Sequence, residues 1–204
     1  MLYIFDEIDK LGNDFAEGMI SLLSGERRAK FKNLKLPLNK KTSVIAYLLL
    51  RRALLEVYGI DEAVEFGYAE KGKPVLKDYP HIYFNLSHTK NAAACVVSDV
   101  EVGVDVQQIV PVSDAVAKRV LTDEEYYGFK SSHVPDEYFC ELWTIKESYL
   151  KQTGQGLTTE LRNLSAANVP SKMIYRGRDY FCCVCGPDMK IKHLRRNDIE
   201  QQHN

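Results

Sequence analysis

The chain has 204 residues, 45% of them hydrophobic and 27% charged, with a formal net charge of -1. Such a balance fits a globular protein built as one large domain or two small packed halves, and it excludes a disordered chain. It also removes any global electrostatic pull toward nucleic acid or an anionic membrane, so an anion site has to be local.

Residues 2 to 8 alternate as a strand, and the opening Met1 to Asp6 has neither a basic region nor a long apolar stretch, so no secretory signal is expected. A helical pattern runs from Asp14 to Leu23 and is interrupted by Ser24 and Gly25. Glu26 to Phe31 reads as a short basic helix with Arg27 and Lys30 on one side. A long helix is predicted from Lys40 to Tyr58, closing at Gly59, a favoured residue just past a helix end. Its apolar run Val44 to Leu50 stops at Arg51 and Arg52, far short of a membrane span, and a cytoplasmic protein is expected.

Strands follow at Val64 to Tyr68 and Ile82 to Leu86, separated by the turn-rich Glu70-Lys71-Gly72-Lys73-Pro74. After Ser87 and His88, Ala92 to Val97 and Val102 to Val106 read as a hairpin around Ser98 and Asp99. Alternation points Val102, Val104 and Val106 one way and Gly103, Asp105 and Gln107 the other, which sets Asp105 beside Gln107.

Helices are expected from Ser113 to Val120 and from Thr122 to Lys130, the latter opened by a capping box of Thr122 and Glu125. A long helix from Asp136 to Gly154 carries the run Trp143 to Lys151. Residues three and four apart on it are neighbours, so Trp143, Lys146, Glu147, Leu150 and Lys151 share one side. Strands at Met173 to Tyr175, Tyr180 to Cys185 and Lys190 to Leu194 close the pattern, and the polar residues 196–204 are expected to fray. The second half loosely repeats the element order of the first. The expected fold is α+β, with two similar halves, 1–98 and 99–195, the second carrying the site.

Five cysteines are an odd count in a chain large enough to fold without staples, and reduced, buried thiols are expected. On a strand Cys183 and Cys185 face one way and Cys182 the other. A zinc shell with His193 is disfavoured because no second ligand pair has zinc-type spacing.

Taken singly, Asp105 is a strand-end residue and Glu147 with Lys151 a solvated ion pair worth about 0.3–0.5 kcal/mol. In combination they suggest more. A hard divalent cation takes one or two protein carboxylates plus water and substrate phosphate oxygens, which Asp105 and Glu147 would supply. Lys146 and Lys151, flanking the glutamate, would bring positive charge to a phosphate. His88, at the end of a buried strand, is placed to donate to that phosphate.

Four blocks in order, Gly72-Lys73-Pro74, Phe84-Asn85-Leu86-Ser87-His88, Gly103-Val104-Asp105 and Trp143-Thr144-Ile145-Lys146-Glu147-Ser148 through Lys151, resemble the Sfp-type 4'-phosphopantetheinyl transferases from near Arg27 to about Leu157. The resemblance implies transfer of 4'-phosphopantetheine from coenzyme A to a serine of an acyl or peptidyl carrier protein, with release of 3',5'-ADP, as in a holo-[acyl-carrier-protein] synthase. It implies a pseudodimer of two halves in one monomeric chain. By the same resemblance Asp105 and Glu147 bind Mg²⁺ with the coenzyme A pyrophosphate, His88 contacts that pyrophosphate, and Lys151 neutralises the attacked phosphate. Arg27, Lys30, Lys73 and Ser87 hold the phosphates and the adenosine, and Glu125 falls where the family has an acidic residue near the metal. Glu147 or a metal-bound hydroxide takes the proton of the carrier serine.

Two positions depart from the pattern. Gln107 stands where many relatives have a third metal carboxylate, and its amide would offer an oxygen or hold a metal-bound water. Thr42 stands where the family often has an arginine for the 3'-phosphate, with Lys40 or Lys41 as substitutes and a weaker hold on coenzyme A as the expected result. These departures keep open an alternative, a non-catalytic module that binds coenzyme A or a carrier. A phosphodiesterase that sends water to the same pyrophosphate is a second rival, needing no carrier.

Overall fold

Pro37 opens the longest helix, where its missing N–H costs nothing, and Gly59 ends it in the left-handed region at φ 71°. This helix, α3 (Pro37–Tyr58), follows β1 (Leu2–Phe5), α1 (Phe15–Gly18) and α2 (Gly25–Asn33). The computed structural model describes residues 1–156 and 161–200. Next come β2 (Phe66–Tyr68), β3 (Pro74–Leu76), β4 (Tyr83–His88), β5 (Ala93–Ser98) and β6 (Gly103–Gln108). The chain continues through α4 (Asp114–Val120), α5 (Asp123–Ser131), α6 (Pro135–Thr153), β7 (Lys172–Arg176), β8 (Tyr180–Cys185), β9 (Ile191–His193) and α7 (Arg196–Glu200). The architecture is α+β. The end of the resemblance at Leu157 lies outside the described residues.

Three sheets organise these strands, in the orders β4-β5-β1-β9, β2-β3 and β6-β8-β7. In α3, Val44 to Leu50 are buried without a break, because the first sheet covers one side of the helix and α1, α2 and α7 pack around it. In α6, Thr144 to Ser148 are likewise all buried, with β6 and β8 on one side and α5 on another. Each long helix therefore lies on its own antiparallel strands.

The expected hairpin of Ala92 to Val97 with Val102 to Val106 does not form. β5 has both edges taken, by β4 and by β1, and offers β6 no partner. β6 pairs instead with β8, placing Asp105 opposite Cys183. The apolar faces of β5 and β6 still meet, since Ala94, Val96, Val102, Val104 and Val106 share one core with Leu2, Ile4 and Val184. The alternation read from Val102 to Gln107 holds.

β4 and β6, each an outer strand of its sheet, are joined by side chains. Asn85 Oδ1 accepts from the Val104 N–H at 2.9 Å, and Ser87 Oγ accepts from the Val106 N–H at 3.1 Å. The seam satisfies backbone donors that burial would otherwise leave empty.

The end of the chain also departs from expectation. β9 returns to pair in parallel with β1, and α7 buries Ile199 in the first core, so residues 196–200 dock rather than fray. Residues 201–204 lie outside the described residues. Among the described residues no helix is long and apolar enough to cross a membrane.

Candidate active site

Gly103 sets how closely α6 can approach β6. A Cβ there would stand 2.1 Å from the Ser148 carbonyl oxygen and 2.3 Å from the Gln152 nitrogen, so only glycine fits. The close approach brings Glu147 and Lys151 of α6 over Asp105, two residues along the strand.

Lys151 Nζ lies 2.6 Å from Asp105 Oδ1 and donates to Ser87 Oγ at 3.0 Å. Ser87 Oγ donates in turn to Asp105 Oδ1 at 3.0 Å. Both carboxylates are buried, and among the described residues Asp105 Oδ2 and Glu147 Oε1 have no hydrogen-bond partner. Burial first, and then the negative charge of Asp105, push the Glu147 carboxyl above its ordinary value, with Lys151 opposing. Two orphaned carboxylate oxygens at one place, with a perturbed pKa, mark a position that wants a cation. The donors are all oxygen, which suits a hard divalent ion completed by water and ligand oxygens. Gln107 is half-buried on the same strand face. Among the described residues no cluster holds three or more histidine, cysteine or acidic side chains in metal-binding array.

One cavity reaches Glu147, and a second shares Gly72, Pro74 and Leu86 with it, so that the two form one groove. The first, about 320 Å³, is lined by Lys71, Lys73, Asn85, Glu147, Leu150 and Lys151. The second, about 480 Å³, is lined by Arg27, Lys30, Thr42, Ser43, Phe66, Tyr68 and His88. Arg27 is buried over the Phe66 and Tyr47 rings and donates to Ser43 Oγ at 2.9 Å, and among the described residues no carboxylate pairs with its guanidinium. Lys30 is exposed at the rim. His88 is open to the groove, yet its pKa is lowered, by loss of solvent first and then by the charges of Lys151, Lys30 and Arg27. The groove gathers cations with few counter-charges, which is the electrostatics of an anion site.

Several expected placements change. Lys146 does not point at the cleft: its ammonium is fully buried on the opposite side of α6, donating to Glu125 Oε2 at 2.6 Å, Val120 O at 2.8 Å and Leu161 O at 3.2 Å. Glu125 is correspondingly not beside Asp105. Besides Lys146 it accepts from the Thr122 and Ala166 N–H groups, and these bonds hold its carboxyl below the ordinary value although burial alone would raise it. A hydroxyl has one donor and two acceptor lone pairs, and those of Ser87 are committed to Asp105, Lys151 and Val106, so in this arrangement it serves the site's own residues rather than a ligand. Lys73 lines the groove with its stem, while its ammonium donates to Gln152 O at 2.6 Å in the last turn of α6. Lys40 pairs with Glu17 at 3.2 Å and Lys41 donates to the Leu11 carbonyl at 2.7 Å, and neither lines the cavity wall at Thr42.

Asn85 is the residue the sequence reading passed over. Its signal was present: a polar side chain two before Ser87 in an apolar strand faces the same way, toward β6. The five cysteines are free and buried. Cys183 and Cys185 pack with Ile145, Cys182 lies in another core, and the His193 ring packs at a tilt of 54° against Tyr175.

Comparison with known proteins places the chain in a family. Residues 101–186 match the family model described as the 4'-phosphopantetheinyl transferase superfamily. A 4'-phosphopantetheinyl transferase of Bacillus subtilis is 34% identical over 151 residues, covering 72% of this chain and 67% of that protein. The Sfp 4'-phosphopantetheinyl transferase of Bacillus subtilis strain 168 is 30% identical over 158 residues, covering 76% and 70%. HetI of Nostoc is 32% identical over 167 residues, covering 76% and 69%.

Proposed function

This chain belongs to the 4'-phosphopantetheinyl transferase superfamily, and from that premise we propose that its groove carries out the family's transfer, moving 4'-phosphopantetheine from coenzyme A to a carrier-protein serine. One observation carries the assignment of residues: Asp105 and Glu147, from two different elements, meet with one unpartnered oxygen each beside the Lys151 ammonium.

Arg27, Lys30 and His88 bind the anionic nucleotide end of coenzyme A in the larger cavity, and the pyrophosphate reaches Lys151 where the two cavities join. An ammonium has three protons, and Lys151 commits two of them to Asp105 and Ser87, leaving the third for a phosphate oxygen. Asp105 and Glu147 would hold Mg²⁺, with Gln107 beside them. The metal, when bound, supplies the positive charge that makes the 3',5'-ADP a better leaving group.

In the transfer, the serine O–H bond breaks, an O–P bond forms to the phosphopantetheine phosphorus, and the P–O bond to 3',5'-ADP breaks. Glu147, at the meeting of α6 and β6, takes the serine proton. Lys151 meets the charge that develops on the transferring phosphoryl group, and the rest is positioning.

The pseudodimer reading, with halves 1–98 and 99–195, rests on each half laying one long helix on antiparallel strands. A monomeric, cytoplasmic enzyme follows from the same reading. Incubation with coenzyme A, Mg²⁺ and a panel of apo carrier proteins, read by intact mass, tests it. A phosphopantetheine mass gain on the carrier supports transfer, whereas 3',5'-ADP released with no gain on any carrier would favour a phosphodiesterase, and neither product a binding module.

A further inference from the structure

Glu147 is one of the two buried carboxylates of the site. Among the described residues no hydrogen bond reaches its carboxylate, and its Oε1 is buried without a partner. The direction in which it leaves the helix therefore follows the rotation of α6. Immediately before it stands Lys146, whose ammonium is fully buried and whose three protons are all used.

The partners of Lys146 come from three separate segments. Val120 ends α4, Glu125 lies in the first turn of α5, and Leu161 opens a short 3-10 helix beyond α6. Glu125 is equally committed: Oε2 accepts from Lys146 and from the Thr122 N–H at 2.9 Å, and Oε1 accepts from the Ala166 N–H at 2.7 Å. Neighbouring helical residues differ by about 100° around the axis, so pinning one side chain fixes the direction of the next. A buried charge is costly to leave unpaired, so a rotation of α6 that frees Lys146 is strongly opposed.

We infer that Lys146 and Glu125 are positioning residues for the reaction, a buried ion pair that fixes the rotation of α6 and so aims Glu147 at Asp105. Neither residue lines the groove. This rests on the reading of Asp105 and Glu147 as metal ligands, and the test separates the two.

Glu125→Gln keeps the shape of the side chain, and Lys146→Met keeps its length without charge. Mn²⁺ binding to the whole protein, measured by calorimetry without any transfer, is compared for wild type, Glu147→Gln and these two variants, alongside melting temperature, kcat and the KM for coenzyme A. All three variants are expected to lose about tenfold or more in Mn²⁺ affinity. In Glu125→Gln and Lys146→Met, kcat falls while the KM for coenzyme A holds, and Glu125→Asp recovers part of the metal affinity. If Lys146→Met does not fold, Glu125→Gln decides by the same readouts. Weak Mn²⁺ binding in Glu147→Gln together with wild-type binding and kcat in Glu125→Gln, whatever its melting temperature, overturns the positioning role alone. Unchanged Mn²⁺ binding in Glu147→Gln overturns the metal reading, and this inference with it.

Discussion

Ser87 Oγ donates to Asp105 Oδ1 at 3.0 Å from across the seam between β4 and β6, while that serine oxygen itself accepts from Lys151 and from the Val106 N–H. One hydroxyl thus ties the acid, the lysine and the two strands together. Ser87→Ala should cost about 1–3 kcal/mol, because the buried Val106 N–H is left without an acceptor. Steady-state kinetics should show kcat falling about tenfold with the KM for coenzyme A nearly constant. A rise in KM alone would return Ser87 to direct phosphate binding.

Gly103→Ala places a methyl against backbone atoms of α6, which cannot swing aside as a side chain would. The expected cost is about 1–3 kcal/mol of overpacking, with transfer lost because α6 is lifted from Asp105. Denaturant unfolding and an activity assay on the same sample check both. A stable variant with normal turnover would show that the close approach is not what assembles the site.

His88 has a pKa below the ordinary 6.5, so it is neutral at neutral pH in the free protein. A phosphate beside it favours the imidazolium, so binding raises that pKa. Coenzyme A affinity should strengthen as pH falls through this interval, with proton uptake on binding. Calorimetry in buffers of different ionisation enthalpy measures the uptake. In His88→Ala the affinity should drop and the His88 share of the uptake vanish; equal uptake in both proteins would remove His88 from the phosphate site.

Much of this site was legible in the sequence, because strand alternation from Val102 to Gln107 fixes which way Asp105 points, whatever strand lies beside it. Pairing partners were not. β5 and β6 are consecutive apolar strands with a turn between them, and only the tertiary fact that β1 takes the second edge of β5 breaks the hairpin. The short β3, opening on a proline, has too few residues to show a period. Lys146 was misdirected for a related reason: Thr144 to Ser148 are buried all round, so no polar stripe marks which side of α6 faces solvent. Ile199 is one apolar residue in a polar tail, and its docking depends on α3, far away in the chain.

Gln107 stands on the strand face of Asp105, where a third carboxylate would join the first two. Gln107→Glu should lower the Mg²⁺ concentration needed for half-maximal transfer, and Gln107→Ala should be mild. Metal titrations of transfer compare the two. If Gln107→Ala abolished transfer as fully as Glu147→Gln, the amide would be a direct ligand and the two-carboxylate account wrong.

The central claim is that Asp105 and Glu147 together make a metal-dependent transfer site. Its most direct test is the mass of an apo carrier protein after incubation with coenzyme A and Mg²⁺, for wild type and for Glu147→Gln at matched folded concentration. The account predicts a phosphopantetheine gain with wild type, none in excess chelator, and a rate at least about 10²-fold lower for Glu147→Gln. Transfer at the wild-type rate by Glu147→Gln, or full transfer in chelator, would contradict it.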